Sequence, residues 1–220
     1  MNVCFFACGE EYAAEAEMAA EALRLTNPHA KVYCLTDQET QFQTLEPVRG
    51  QYSKATLMYD RIVGQAHFLT EHRQALFLDS DCLVSQDLTN AFKGPISVTK
   101  RIPPKQTPGQ IYNCGVLFGS GEQAISFWLH WIDVFQFLER NAWKWYGDQI
   151  ILAHLVGDYP SVNIYESETH NYIPTHLDSL DSVLPANIVH FKGLKRKAWI
   201  PYYLDTLRKH YGAQDLRRSA

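Results

Sequence analysis

The chain opens on an apolar run, Asn2 to Ala7, then a helix-forming segment, Glu10 to Leu25, then a second apolar run, Lys31 to Leu35. No other feature limits the fold as tightly. A short continuous apolar run is what a strand buried on both faces of a parallel sheet requires. Glu10 to Leu25 is rich in Ala, Glu, Leu and Met, which favour a helix, and Asn27-Pro28 stops it. Thr36-Asp37 closes the second strand. Strand, helix and strand in this order form a βαβ unit. The expected class is α/β, a mostly parallel central sheet flanked by helices, with ligands at the strand C-terminal ends.

A second helix over Lys54 to Thr70 leads into a third strand, Ala75 to Leu78, which ends in Asp79-Ser80-Asp81. Ile96 to Thr99 reads as a strand, and the Pro-rich stretch from Ile102 to Gly109 as a loop over a site. Asn113 to Gly119 is a glycine-bounded strand. Ala124 to Arg140 reads as one long helix whose Phe and Trp stripe belongs to the core. A helix over Asp148 to Val156, strands at Val162 to Tyr165 and Ile188 to Phe191, and a closing helix over Pro201 to His210 complete the pattern. A length of 220 residues suits one domain, taken as 1–212, with a polar tail at 213–220.

The formal net charge of -4 gives no broad surface for nucleic acid, so an anionic ligand must be held locally. Cys4, Cys8, Cys34, Cys82 and Cys114 form no CxxC pair and make a poor disulfide or zinc framework. They read as small buried hydrophobes in a reducing compartment. The run Val3 to Cys8 is too short for a secretory signal, and no segment nears the roughly 18 apolar residues of a membrane span. A cytoplasmic enzyme is expected.

The chemistry is concentrated in Leu76-Phe77-Leu78-Asp79-Ser80-Asp81. Strand alternation puts residues i and i+2 on one side, so both carboxylates face one point. Two like charges so close repel unless something neutralises them. Hard oxygen ligands favour manganese or magnesium for that task. A turn or helix cap would use the same Asp-Ser-Asp, so three further segments matter. Asn113-Cys114-Gly115 offers an amide and room for close backbone approach. Gly147-Asp148-Gln149 precedes a helix, where Asp148 serves as a cap or addresses sugar hydroxyls. His190 at a strand end offers a third metal ligand, and Lys192, Lys195, Arg196 and Lys197 after it offer charge for phosphates.

These four segments, in this order, resemble the GT-A fold glycosyltransferases, particularly the family-eight retaining enzymes that include glycogenin and bacterial galactosyltransferases. The resemblance runs from the first strand to Trp199. It implies a single GT-A (Rossmann-like) domain with Asp79, Asp81 and His190 as the manganese ligands. It implies Gly193 with Lys195 or Lys197 at the diphosphate, and Ser80, Asn113 and Gly115 at the donor. Asp148 and Gln149 would line the reaction face. Ala7, Cys8 and Tyr12 occupy the place of the nucleotide base, and Lys54 resembles the basic residue that precedes the DxD strand. The chain departs from the group by one extra residue after Gly193, by Ala198 before Trp199 in place of Pro, and by a loop before Asn113 without an acidic residue.

The implied reaction moves a hexose from a nucleotide-sugar, UDP-linked by resemblance, to a glycan, lipid-linked or protein hydroxyl with retention. The sequence lacks the paired carboxylates of a double displacement, leaving front-face attack as the default. Peripheral membrane contact through Trp199 to Tyr203 stays open beside packing of those aromatics on the core. Two rivals remain. A haloacid dehalogenase-type phosphatase also uses Asp-x-Asp, but normally on its first strand and with a second acid after the position of Asp148. A catalytically silent sugar- or nucleotide-binding protein is the other.

Overall fold

The computed structural model describes residues 1–39, 42–101, 111–177, 183 and 186–218. Its centre is a seven-stranded sheet in the order β3-β2-β1-β4-β7-β6-β8. Strand β1 (Asn2–Ala7) lies parallel to β2 (Lys31–Thr36) and to β4 (Gln74–Asp79). Strand β3 (Glu46–Arg49) extends that edge in parallel beside β2. Strand β7 (Tyr112–Ser120) runs antiparallel to both β4 and β6 (Ile96–Lys100), and β8 (Val162–Tyr165) is parallel to β6. Reversal of β7 alone makes the sheet mostly parallel, as the opening βαβ unit implies.

Side-chain alternation along the buried strands sorts the core into two halves. Val3, Phe5, Leu76 and Leu78 face α1 (Glu10–Thr26) and α8 (Ile200–Arg218). Cys4, Ala75 and Phe77 face α2 (Leu57–His72), α3 (Gly121–Phe135) and α5 (Gly147–Asp158). Ala13, Ala16, Ala19 and Ala20 line the buried side of α1, and their small size lets the helix lie close to the sheet. Phe127, Trp128, Trp131 and Phe135 are fully buried, so the aromatic stripe of α3 is core.

The observed elements differ from the sequence pattern where local signals are short. The long helix expected to reach Arg140 stops at Phe135, and Arg140–Lys144 forms a separate turn of helix, α4. Helix α2 begins at Leu57, leaving Lys54 in the preceding turn. Strand β3 contains Pro47, which an edge position tolerates because the missing N–H leaves no inner ladder bond unmade. Two short helices, α6 (Ser167–His170) and α7 (Leu194–Lys197), carry too few residues to show a period. The closing helix continues to Arg218, and the loop expected at Ile102 to Gly109 falls outside the described residues. No helix among the described residues is long and apolar enough to cross a membrane.

One unforeseen pairing positions the site. Strand β5 (Cys82–Val84) follows the Asp-Ser-Asp turn and pairs antiparallel with β9 (Ile188–His190), Cys82 opposite His190. The separate two-stranded ribbon thus carries the distant histidine to the end of β4.

Candidate active site

Asp79 ends β4, and Asp81 lies in the turn that enters β5. The β5–β9 ribbon sets His190 Nε2 at 3.1 Å from Asp81 Oδ1 and 3.9 Å from Asp79 Oδ2. His190 Nδ1 lies 2.8 Å from the side-chain oxygen of the fully buried Asn171. Burial raises the pKa of Asp81, but His190 and then Lys197 outweigh it and bring it down to about 2. Asp81 is therefore ionised at neutral pH. An imidazole nitrogen within 3.1 Å of one carboxylate and 3.9 Å of another suits a hard or borderline divalent cation. The Cys82 thiol is also close. Among the described residues, Asp81, Cys82 and His190 place their ligand atoms within 4.8 Å of one another; burial pushes the Cys82 thiol well up, and its Sγ donates to the Gly115 carbonyl at 3.5 Å.

Close approach of β7 completes this side. A Cβ added to Gly115 would sit 2.7 Å from Asp79 Oδ2, 2.7 Å from His190 Cε1 and 2.9 Å from Asn113 Oδ1. Asn113 Oδ1 accepts the Gly115 N–H at 2.7 Å, while the buried Asn113 Nδ2 has no acceptor. That amide is a donor left for a ligand. Gly115→Ala is expected to cost about 1–3 kcal/mol of stability through overpacking and to weaken Mn2+ binding by displacing Asp79 or His190. Urea unfolding and Mn2+ titration measure the two effects. Unchanged Mn2+ affinity would show that the metal ligands do not depend on this gap.

The cationic side is built around Lys197. Its Nζ donates to Glu15 Oε2 at 2.7 Å, lies 3.7 Å from Asp81 Oδ2 and sits 4.6 Å above the Tyr12 ring. Burial lowers the Lys197 pKa, but Glu15 and Asp81 outweigh it and raise it, so the ammonium stays charged. Lys195 is exposed, and Arg196 donates to the carbonyls of Pro174 and Lys192. Of this basic run, Lys197 is the one that faces the aspartates. Gly193, at φ 88°, makes the left-handed turn into α7 that brings Lys197 round.

On the opposite side, Arg61 of α2 is 4% exposed and bridges two acids. It donates to Asp79 Oδ1 at 2.8 Å and to Asp148 Oδ2. Burial lowers the Arg61 pKa, but Asp148 and then Asp79 more than reverse this. Asp148 is not the cap of α5. Tyr146 holds that position, in a left-handed conformation at φ 54°, and Asp148 sits in the first turn with its carboxylate turned to Arg61. Gln149 is half-buried, and its Oε1 accepts from Arg101 at 3.3 Å.

At the end of β1, Ala7 and Cys8 leave the strand beside Asp79, since Phe6 pairs with Asp79. The Gly9 N–H donates to Asp37 Oδ1 at 2.9 Å, fixing the turn after β1. Partial burial and neighbouring Asp37 push the Cys8 thiol up to about 12, so it is an unreactive wall group. Lys54 is exposed and close enough to Cys8 to act on its charge; Arg61 is a cation that touches Asp79. Ser80 is 5% exposed and donates to Glu15 at 3.0 Å, away from the carboxylates' meeting point. Arg61, Glu15 and Asn171 are site residues that the sequence pattern did not single out. For Arg61 and Glu15 a signal existed, because each charge falls on the inward side of a helix. A separate cavity of about 330 Å3 at the far end of the sheet, lined by Asn27, His29, Asp87 and Phe92 among others, has none of these acids.

No protein-family model and no curated protein matches the chain. Solved structures do. A glycosyltransferase involved in glycosylation of the major capsid of PBCV-1 superimposes with a TM-score of 0.64 at 14% identity, covering 92% of this chain and 100% of that one. An active-site mutant of LgtC gives 0.61 at 14% identity, covering 96% of each chain. Apo GlyE of Streptococcus pneumoniae TIGR4 gives 0.65 at 20% identity over 97% of this chain, which spans 63% of GlyE. Sheet order, the reversed β7 and these superpositions agree: the chain has the GT-A fold of the glycosyltransferases.

Proposed function

We propose that this chain transfers a hexose from a nucleotide-sugar, UDP-linked in the first instance, to an acceptor hydroxyl with retention of configuration. The supporting observation is the convergence of Asp79, Asp81 and His190 at the sheet's C-terminal edge, with Lys197 beside Asp81. Asp79, Asp81 and His190 would hold Mn2+ or Mg2+, which when bound supplies Lewis-acid stabilisation of the leaving diphosphate. Lys197 adds fixed positive charge for that same diphosphate in a partly closed site. Asn113 Nδ2 donates to the donor, and Gly115 leaves the backbone near enough for it to do so. Asp148 is aimed by Arg61, which suits it to a sugar hydroxyl. Gln149 lines the reacting face as a neutral amide, without the charge of a nucleophile. The bond from the sugar's anomeric carbon to the diphosphate breaks, with its electron pair leaving on phosphate oxygen. The acceptor oxygen bonds to the same carbon and gives up its proton to the departing phosphate oxygen.

LgtC has been crystallised with donor and acceptor sugar analogues; for this chain the corresponding acceptor is a glycan, lipid-linked or protein hydroxyl. Thermal unfolding with UDP-, GDP-, CDP- and ADP-linked sugars, with and without Mn2+, tests the reading. A donor at about 100 times its dissociation constant adds roughly 2.7 kcal/mol. The expected result is stabilisation by one nucleotide series, dependent on Mn2+ and lost in Asp79→Ala/Asp81→Ala. Failure of every donor to stabilise the protein would sink the reading.

A further inference from the structure

The ligand role of His190 needs its Nε2 to carry a lone pair rather than a proton, and the chain holds a group suited to that task. We infer that Asn171 is a positioning residue that fixes His190 as the Nδ1–H tautomer, so that Nε2 is free for the metal. This rests on the metal-site reading above.

Asn171 follows α6 and is 0% exposed. Its backbone leaves no freedom of register. Its N–H donates to Ser167 O at 3.0 Å, and the next residue, Tyr172, bridges to β9. Tyr172 N donates to Ile188 O at 3.0 Å, and His190 N donates to Tyr172 O at 2.8 Å. Asn187 N also donates to Thr169 O, tying the start of β9 to α6. These bonds set the Asn171 amide beside the ring, where Oδ1 meets Nδ1 at 2.8 Å.

The two halves of the amide are used unequally. The oxygen has the imidazole, while the buried NH2 has no acceptor. An unpartnered buried polar group costs about 1–3 kcal/mol, so an apolar side chain would serve packing alone better. Turning the amide over would give the NH2 a partner in a bare Nδ1. It would also put the ring proton on Nε2, 3.1 Å from Asp81 Oδ1, where it closes the lone pair a cation needs. With Nε2 on a cation the ring proton must sit on Nδ1, and Asn171 Oδ1, 2.8 Å away, is placed to accept it. A hydrogen-bond acceptor on the non-ligating nitrogen also raises the basicity of the ligating one.

The test has two readouts besides turnover. In wild-type protein labelled with 15N-histidine and saturated with diamagnetic Mg2+, two-bond 15N–1H correlation at a pH where the ring is neutral reports the tautomer. The Nδ1–H form is expected; the Nε2–H form would overturn the assignment without any variant being made. Mn2+ affinity is then measured by the loss of the free-ion EPR signal. Asn171→Ala is expected to weaken binding about 10–100-fold. Asn171→Asp, which keeps the acceptor and the shape, is expected to retain wild-type affinity or better and guards against a variant that fails to fold. A folded Asn171→Ala within twofold of wild type, or Asn171→Asp as weak as Asn171→Ala, overturns the inference. Wild-type protein that binds no Mn2+ refutes the metal reading and this inference with it. A wild type that binds Mn2+ beside a folded Asn171→Ala that binds equally well refutes the inference alone.

Discussion

Arg61→Met is expected to destabilise the protein by about 3–5 kcal/mol, because it leaves the Asp148 carboxylate buried without its counter-charge. Asp148 is 1% exposed and Arg61 4%, so water cannot replace the lost partner. The guanidinium ties α2, α5 and the end of β4 together, and methionine keeps its bulk while removing its charge. Coupling, not loss of packing, is the mechanism at issue, and a double-mutant cycle separates the two. Adding Asp148→Asn to Arg61→Met removes the stranded charge and is expected to restore most of the stability. Urea denaturation midpoints with unchanged m-values measure this. A double variant no more stable than Arg61→Met would show that the stranded carboxylate is not the cause. Activity is not expected to return in the double variant, since the neutral amide that replaces the Asp148 carboxylate cannot address the sugar as an ionised acid does.

Asp81→Asn carries the largest expected effect on turnover. The substitution keeps shape and removes one of the charges that would bind the cation. Lewis-acid stabilisation of a leaving diphosphate supplies several kcal/mol, so loss on the order of 10³-fold in kcat is expected. Mn2+-dependent thermal stabilisation should vanish in parallel. In the metal-free protein the same change removes the carboxylate that lies 3.7 Å from Lys197 and 3.1 Å from His190, whose pKa, despite burial, these neighbours hold low, so Tm without metal is expected to fall. The metal response is expected to be lost in addition to that fall. Asp81→Asn with wild-type kcat and wild-type Mn2+ response would rule out Asp81 as a ligand.

Much of this was legible from the sequence, and the parts that were not share a physical cause. The βαβ opening announced itself through apolar period and helix-forming composition, and β1 spans the expected Asn2 to Ala7. The aspartate pair was readable from its place at a strand end, although Asp81 lies in the turn after β4 and not on the strand whose alternation was expected to align it. The inward side of α2 marked Arg61, but its pairing was not readable, because its partner Asp148 is 87 residues away and only tertiary packing brings them together. Glu15 meets Lys197 across 182 residues for the same reason. Strands of three residues, such as β5 and β9, show no period at all, so the ribbon that delivers His190 is invisible locally. The reading of Asp148 as a cap failed because the positive φ of Tyr146 starts α5 earlier.

The β5–β9 ribbon has a consequence for biogenesis. All seven strands of the central sheet lie before Ile188, the last ending at Tyr165, whereas His190 and Lys197 come after. Chains fold from the amino terminus as they leave the ribosome. A nascent chain can therefore pair its central sheet before His190 and Lys197 are there to meet Asp81. The same late segment and α8 also bring Ile188, Val189, Ile200 and Leu204 to one half of the core, so a chain cut before Ile188 loses packing together with both side chains.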